Sequence, residues 1–262
     1  MNTESKPIMI MALYAGEILL KNGAETYRVE DTITHICRSG NYEYVEAFVT
    51  PTGIFVSIDQ KGASSGNMMT YIKRIKTRSI NLEKVAQVND LSRRFVSGGL
   101  TVTEAMDELK VIEKAPGYPF WQKALVGGIA SALFSVLFGA NVLEFLIAFI
   151  ASIMVNNVTT NMDRAGFPTF ISHLAGGMTA ALLAVLASSF ISMVELDKVI
   201  VGGVIVLVPG VAVTNAIRDS IAGDLISGMA KGAEALIIAT SIALGVGAIL
   251  KVWLMLMGGT LA

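Results

Sequence analysis

The fold turns on one short stretch, Pro116-Gly117-Tyr118-Pro119-Phe120-Trp121. Two prolines and a glycine stop the preceding helix, and three aromatic side chains suit the headgroup layer of a bilayer. Composition differs on the two sides. Residues 1–118 carry 14 Lys/Arg and 14 Asp/Glu, whereas residues 119–262 carry six and seven, so 28 of the 41 charges precede the boundary. The whole chain is 53% apolar with a mean hydropathy of +0.62, too apolar for an ordinary soluble protein. The pattern predicts an α+β cytoplasmic N-terminal domain over residues 1–118, followed by an α-helical polytopic membrane bundle over residues 119–262.

Downstream of the boundary, apolar blocks at 120–140, 142–160, 168–193, 199–217 and 231–257 are long enough to cross the hydrocarbon core, giving about five transmembrane helices. They are rich in small residues: Gly127-Gly128, Gly176-Gly177, Gly202-Gly203 and the Gly228-x-x-x-Gly232 spacing. Such residues let helix backbones approach where lipid supplies no hydrophobic drive for association. Lys110, Lys114 and Lys123 flank the first block, so by the positive-inside rule the N-terminus is cytoplasmic, the turn with Arg164 is inside and the C-terminus is outside. The expected location is a bacterial inner membrane. Glu144 and His173 are read as residues at headgroup depth.

Upstream, Ile8 to Leu20 is too short for a span and is interrupted by Glu17, so it reads as an amphipathic helix of the first domain. Helix spacing at 9–21 and 24–38 is separated by Asn22-Gly23, a helix stop. β-branched and aromatic residues at 42–49 and 53–58, joined by Thr50-Pro51-Thr52-Gly53, predict a hairpin, with a third strand at 71–80 and helices at 81–96 and 103–113. Neither half has a basic stripe, zinc-ligand spacing or a nucleotide-binding glycine motif, so no nucleic acid, metal or cofactor is expected. Cys37, the sole cysteine, excludes an intrachain disulfide.

The strongest chemical signal is the stretch from Val206 to Asp224. Pro209-Gly210 lies inside an apolar block, where it breaks or kinks the helix, and broken backbone in a bilayer is tolerated only where protein or water satisfies it. Pro209 and Gly210 are therefore candidate substrate-site residues. Asn215, Arg218 and Asp219 follow with the i, i+3, i+4 spacing of one helical face, and Asp224 lies further on. Asp219 and Asp224 are candidates for proton coupling, because desolvation favours a neutral carboxyl. The alternative is that Arg218, Asp219 and Asp224 sit in a cytoplasmic loop and only set topology. Asn157, Thr160 and Asn161 form a second polar face, suited to binding a carboxylate or hydroxyl or to bonding between helices.

Three strings resemble the threonine/serine exporter family: Asn22 to Glu30, Phe48 to Ser57, and Pro209-Gly210 with Asn215 to Asp219 and Gly223-Asp224. The resemblance covers nearly the whole chain. It implies export of small metabolites, either threonine/serine-type amino acids or, by a related pair, succinate. It also implies a split form in which a short polytopic membrane protein supplies the other transmembrane half, and an odd number of spans fits such an inverted arrangement. With no ATP-binding signature, the proton gradient is the expected drive. On this reading the chain is a secondary transporter subunit and no enzyme. The competing reading is a membrane-anchored hydrolase using Glu25, Arg28, Glu30 and His35, but no nucleophile with a paired base stands beside them, and Ser64-Ser65-Gly66 lacks a strand-turn-helix setting.

Overall fold

The computed structural model describes residues 5–40, 42–60 and 68–257, which fall into two compact units. The first takes the chain as far as Gly117 together with Val211–Gly232; the second takes Tyr118–Gly210 together with the chain from Ala233 onward. Ser64-Ser65-Gly66 and the chain's last five residues lie outside the described residues.

In the first unit, α1 (Ser5–Lys21) and α2 (Thr26–Arg38) precede an antiparallel sheet of β1 (Tyr42–Thr50), β2 (Gly53–Gln60) and β3 (Met69–Arg74), ordered β1-β2-β3. α3 (Leu82–Val96) and α4 (Val102–Lys114) follow. The Asn22-Gly23 stop works as its sequence suggests, with Gly23 at φ 93°, a left-handed conformation open to glycine. The expected hairpin forms with Thr50 opposite Gly53. Val45, Val49, Ile54, Val56 and Ile58 line the buried face of the sheet, while Tyr44, Phe48, Phe55 and Ile72 stay exposed.

α1 is the helix expected of it and is deeply covered: Met9, Met11, Ala12, Ala15, Ile18, Leu19 and Leu20 are all buried, with α2, α3, α4 and β2 packed around it, while Ile10 stays exposed. A helix apolar on most sides must be covered on most sides. The third strand ends at Arg74, short of the predicted Ile80, because the polar run Lys76-Thr77-Arg78-Ser79 has no buried alternate residues to hold a pleat. α4 begins with a reciprocal capping box, in which Thr101 accepts from Glu104 N and Glu104 accepts from Thr101 N.

The second unit contains α5 (Phe120–Leu137), α6 (Val142–Arg164), α7 (Thr169–Phe190), α8 (Leu196–Val204) and a 3-10 turn at Ile205–Leu207. α9 (Gly210–Ala222) and the first turns of α10 (Leu225–Leu256) pack in the first unit; the rest of α10 lies in the second. Among the described residues, four helices are long and apolar enough to cross a membrane: α5, α6, α7 and α10. α8 with its 3-10 turn and α9 form a bent pair that makes a fifth if it is one span. The block at 199–217 is interrupted at Val208-Pro209, as the Pro209-Gly210 break predicts, and the last long helix starts at Leu225, ahead of the expected 231.

Small residues hold the second unit together. Gly202 lies against Ala148 and Ser135, Gly203 against Ala180, and Ser152 bonds the Ser131 hydroxyl at 2.9 Å. A Cβ on Gly177 would come 2.6 Å from the carbonyl oxygen of Ile242, an immovable backbone atom, whereas a Cβ on Gly127 would meet only Val206 at 3.6 Å. Gly177→Ala is therefore expected to destabilise the protein by about 1–3 kcal/mol through overpacking. Gly127→Ala should be neutral or stabilise by up to about 1 kcal/mol from helix propensity. Thermal unfolding of the two variants in detergent checks the contrast.

Glu144 has a more definite role than headgroup depth. It is fully buried, accepts from Asn141 N at 2.7 Å as half of a capping box, and accepts from Glu195 N at 2.8 Å, tying the start of α6 to the start of α8.

Candidate functional site

The polar residues of α9 and the start of α10 meet the N-terminus of α2 and the end of β1, all within the first unit. α9 divides its faces sharply. Asn215, Ala216 and Asp219 are buried, while Val213, Ile217 and Ile221 are exposed. Asn215 Nδ2 donates to Gly23 O at 2.9 Å, so the side chain closes the backbone of the Asn22-Gly23 stop.

Asp219 is fully buried and engaged at both oxygens. Its Oδ1 accepts from Thr26 N at 3.1 Å, and its Oδ2 faces Lys231 Nζ at 2.7 Å. α2 has no side-chain cap of its own, so Asp219 supplies from another element the acceptor that a helix N-terminus lacks, with its negative charge at the favourable end of the dipole. Lys231 is 6% exposed, and Asp219 is the carboxylate paired with it. Such an ion pair is tolerated in a dry place only because each charge compensates the other.

Arg218 projects from the same helix to Glu25, with Nη1 2.5 Å from Oε1, and Arg28 approaches the other Glu25 oxygen at 3.3 Å. Burial alone would raise the Glu25 carboxyl. A hydrogen bond from its own backbone N–H and the flanking Arg218 and Arg28 outweigh that and hold it below the usual range.

One turn along α2, Glu30 Oε1 accepts from Val49 N at 2.7 Å, and the carbonyl of the same Val49 accepts from Ser227 on α10 at 3.4 Å. Val49 thereby links α2 to α10 through its two backbone groups. Burial pushes the Glu30 carboxyl up to about 7; the Val49 bond opposes this, while the Asp224, Asp31 and Glu46 charges reinforce it. Asp224 lies in the turn between α9 and α10, where Gly223 takes φ 97°. Its carboxyl is raised first by burial and then by Asp219, against the lowering effects of Lys231 and the Thr26 hydroxyl. The α9–α10 approach is close: a Cβ on Gly228 would stand 2.9 Å from Ala216 O and against Ser220 Oγ.

The structure thus brings Asn215, Arg218, Asp219 and Asp224 to one corner, and places Gly210 at the start of α9 just after Pro209. Asn157, Thr160 and Asn161 belong to the end of α6 in the second unit, where Asn161 bonds Asn157 at 2.9 Å and Thr160 contacts Asn156. The hydrolase candidates take other roles. Glu25 and Arg28 pair with each other, Glu30 holds Val49, and His35 Nδ1 lies 2.7 Å from Asp31 O. Sequence reasoning missed Thr26, Lys231 and Ser227 as members of the corner. Lys231 carries a signal, a lone cation at the edge of an apolar block, but hydropathy alone makes it the start of the 231–257 span.

A family model described as "Putative threonine/serine exporter" matches residues 10–253. A Mycobacterium tuberculosis protein named "Probable threonine/serine exporter" is 25% identical over 246 residues, covering 92% of this chain and 45% of that protein. The chain therefore spans about half the length of this relative. "Probable succinate transporter subunit YjjP" of Klebsiella aerogenes is 21% identical over 255 residues, covering 96% of each. The protein of the same name from Escherichia coli K12 is 22% identical over 258 residues, covering 97% of this chain and 98% of that one. No solved structure matches the chain.

Proposed function

Since the chain belongs to the threonine/serine exporter family, we propose that it is one subunit of an exporter of small amino acids of the threonine/serine type, driven by the proton gradient. The family and the membrane-capable helices make it a multi-pass membrane protein. Its basic residues favour an inner membrane with the N-terminal domain, residues 1–118, in the cytoplasm and the C-terminus outside. A short polytopic membrane protein supplies the other half, in line with the word subunit in the names of the relatives of matching length.

The observation that carries the substrate class is the alternation of charge at the corner, where Arg218 meets Glu25 and Asp219 meets Lys231. A zwitterion offers both signs. Its carboxylate competes with Glu25 for Arg218, and its ammonium takes the carboxylate so released. Asn215 stands on the same helix, Pro209-Gly210 lets that helix start afresh, and Asn157, Thr160 and Asn161 offer neutral hydrogen bonds at the end of α6. Both oxygens of Asp219 are engaged, so proton coupling falls to Asp224. A dicarboxylate is the second reading, favoured by the two relatives named succinate transporter subunits.

The test is efflux of labelled threonine, serine and succinate from cells holding both subunits at matched protein level. Arg218→Lys keeps the charge and loses the planar fork, so threonine and serine efflux should fall about tenfold, the equivalent of one charge-assisted hydrogen bond. Full activity of Arg218→Lys on every substrate returns Arg218 to a purely topological role. Efflux of succinate alone selects the dicarboxylate.

A further inference from the structure

The second unit begins on aromatic and basic side chains that the exporter reading leaves unused. Tyr118, Trp121, Leu125 and Val126 wall a pocket of about 550 Å³ along the first turns of α5, with Gln122 and Lys123 as its polar members. That volume falls within the range of about 300–1,000 Å³ usual for ligand sites. Trp121 and Val126 are exposed, so the pocket opens sideways from a helix that is long and apolar enough to cross a membrane. Lys123 lies one turn beyond Phe120 on the same face of α5. From the end of α6, the Arg164 guanidinium stands over the Phe120 ring, 6.0 Å from its centroid, in a cation–π contact. Two cations from two helices therefore flank one ring. Among the described residues neither is paired with a carboxylate, whereas Lys198 in the same unit is held by Glu195 at 2.7 Å. Asp163 precedes Arg164 on α6 and so projects about 100° away around the helix.

We infer that this pocket binds an anionic phospholipid, with an acyl chain lying along Trp121, Leu125 and Val126 and the phosphate held by Lys123 and Arg164. The argument is one of complementarity: an apolar trough that ends at two uncompensated cations matches a molecule with an apolar tail and a negative head. A zwitterionic phospholipid brings a cation of its own, which both basic side chains repel. A soluble phosphate offers nothing to the trough. The Arg164 fork takes two phosphate oxygens at once and is already oriented by the Phe120 ring, while Lys123 adds a point charge from the neighbouring helix. Tyr118 and Trp121, each apolar with a polar tip, suit the depth at which a phosphate meets its acyl chains. Bound there, the lipid ties the start of α5 to the end of α6 and stabilises the folded chain by mass action. The site needs a membrane but no cargo, partner subunit or proton, so it stands apart from the exporter reading.

Tryptophan quenching in the full-length chain tests this without any transport. The chain has two tryptophans, Trp121 and Trp253, so in a Trp253→Phe background the emission reports the pocket wall alone. The purified chain is placed in phosphatidylcholine bilayers and titrated with phosphatidylglycerol carrying brominated acyl chains, and separately with brominated phosphatidylcholine of the same chain length. A basic side chain at an anionic headgroup raises affinity about fivefold, so the two together should give phosphatidylglycerol a preference of about 25-fold. Lys123→Gln and Arg164→Gln should each lower that preference about fivefold, and the double variant should abolish it. Both side chains are exposed, and thermal unfolding verifies that the variants fold. Phosphatidylglycerol should also raise the unfolding temperature of the wild type more than that of the double variant. Equal quenching by the two lipids, or a phosphatidylglycerol preference that survives in the double variant, overturns the site. Displacement of the brominated lipid by excess inorganic phosphate overturns the lipid as its occupant. Since no efflux is measured, failure of the exporter reading leaves the quenching result standing.

Discussion

Asp219→Asn is expected to destabilise the protein by about 3–5 kcal/mol, because it leaves the buried Lys231 ammonium without a counter-charge. The amide retains an oxygen for Thr26 N, so the loss reports the ion pair and not the helix cap. Lys231→Met in the same background should recover most of it, since a buried pair replaced by apolar side chains of similar volume is often neutral. Thermal unfolding of the two single variants and the double variant gives the coupling directly. Equal stability of Asp219→Asn and wild type would mean that Lys231 reaches solvent, and the corner would then lose its dry character.

The second large effect is on transport. The chain spans 45% of the length of its Mycobacterium relative and the full length of relatives named subunits. It carries one broken helix and an odd number of spans if the bent pair counts as one. Alternating access about a broken helix needs an opposing repeat of reverse orientation. Vesicles holding the purified chain alone should therefore show no efflux above background, and co-reconstitution of a short polytopic partner should restore it. Efflux from vesicles in which cross-linking shows only monomer would overturn the two-subunit reading.

Local signals were legible wherever backbone chemistry decides them. Asn22-Gly23, the Thr50-Pro51-Thr52-Gly53 hairpin and the Pro209-Gly210 break were all visible because each depends on neighbours in sequence. The destination of α9 was not. Its exposed face of Val213, Ile217 and Ile221 makes a hydropathy window read a span, while Asn215 and Asp219 point to partners more than 190 residues earlier. No window registers a hydrogen bond of that separation. The Val49 partner of Glu30 was hidden in the same way, since side chains on one helix advertise their types and not their partners. Glu17, which argued against a span at α1, is satisfied by Lys21 at 2.7 Å and Lys73 at 2.9 Å at the edge of the core.

The cap on α2 also bears on the order of assembly. A ribosome delivers Thr26 long before Asp219, and 193 residues separate the helix that needs the carboxylate from the helix that brings it. Until α9 emerges, the Thr26 amide and Gly23 O have water in place of Asp219 and Asn215. The segments between, α5 through α8, are the ones a translocation machinery must handle first. The first unit therefore cannot close its corner until α5 to α8 have been synthesised: the start of α2 and the Asn22-Gly23 stop acquire their partners only with the last third of the chain.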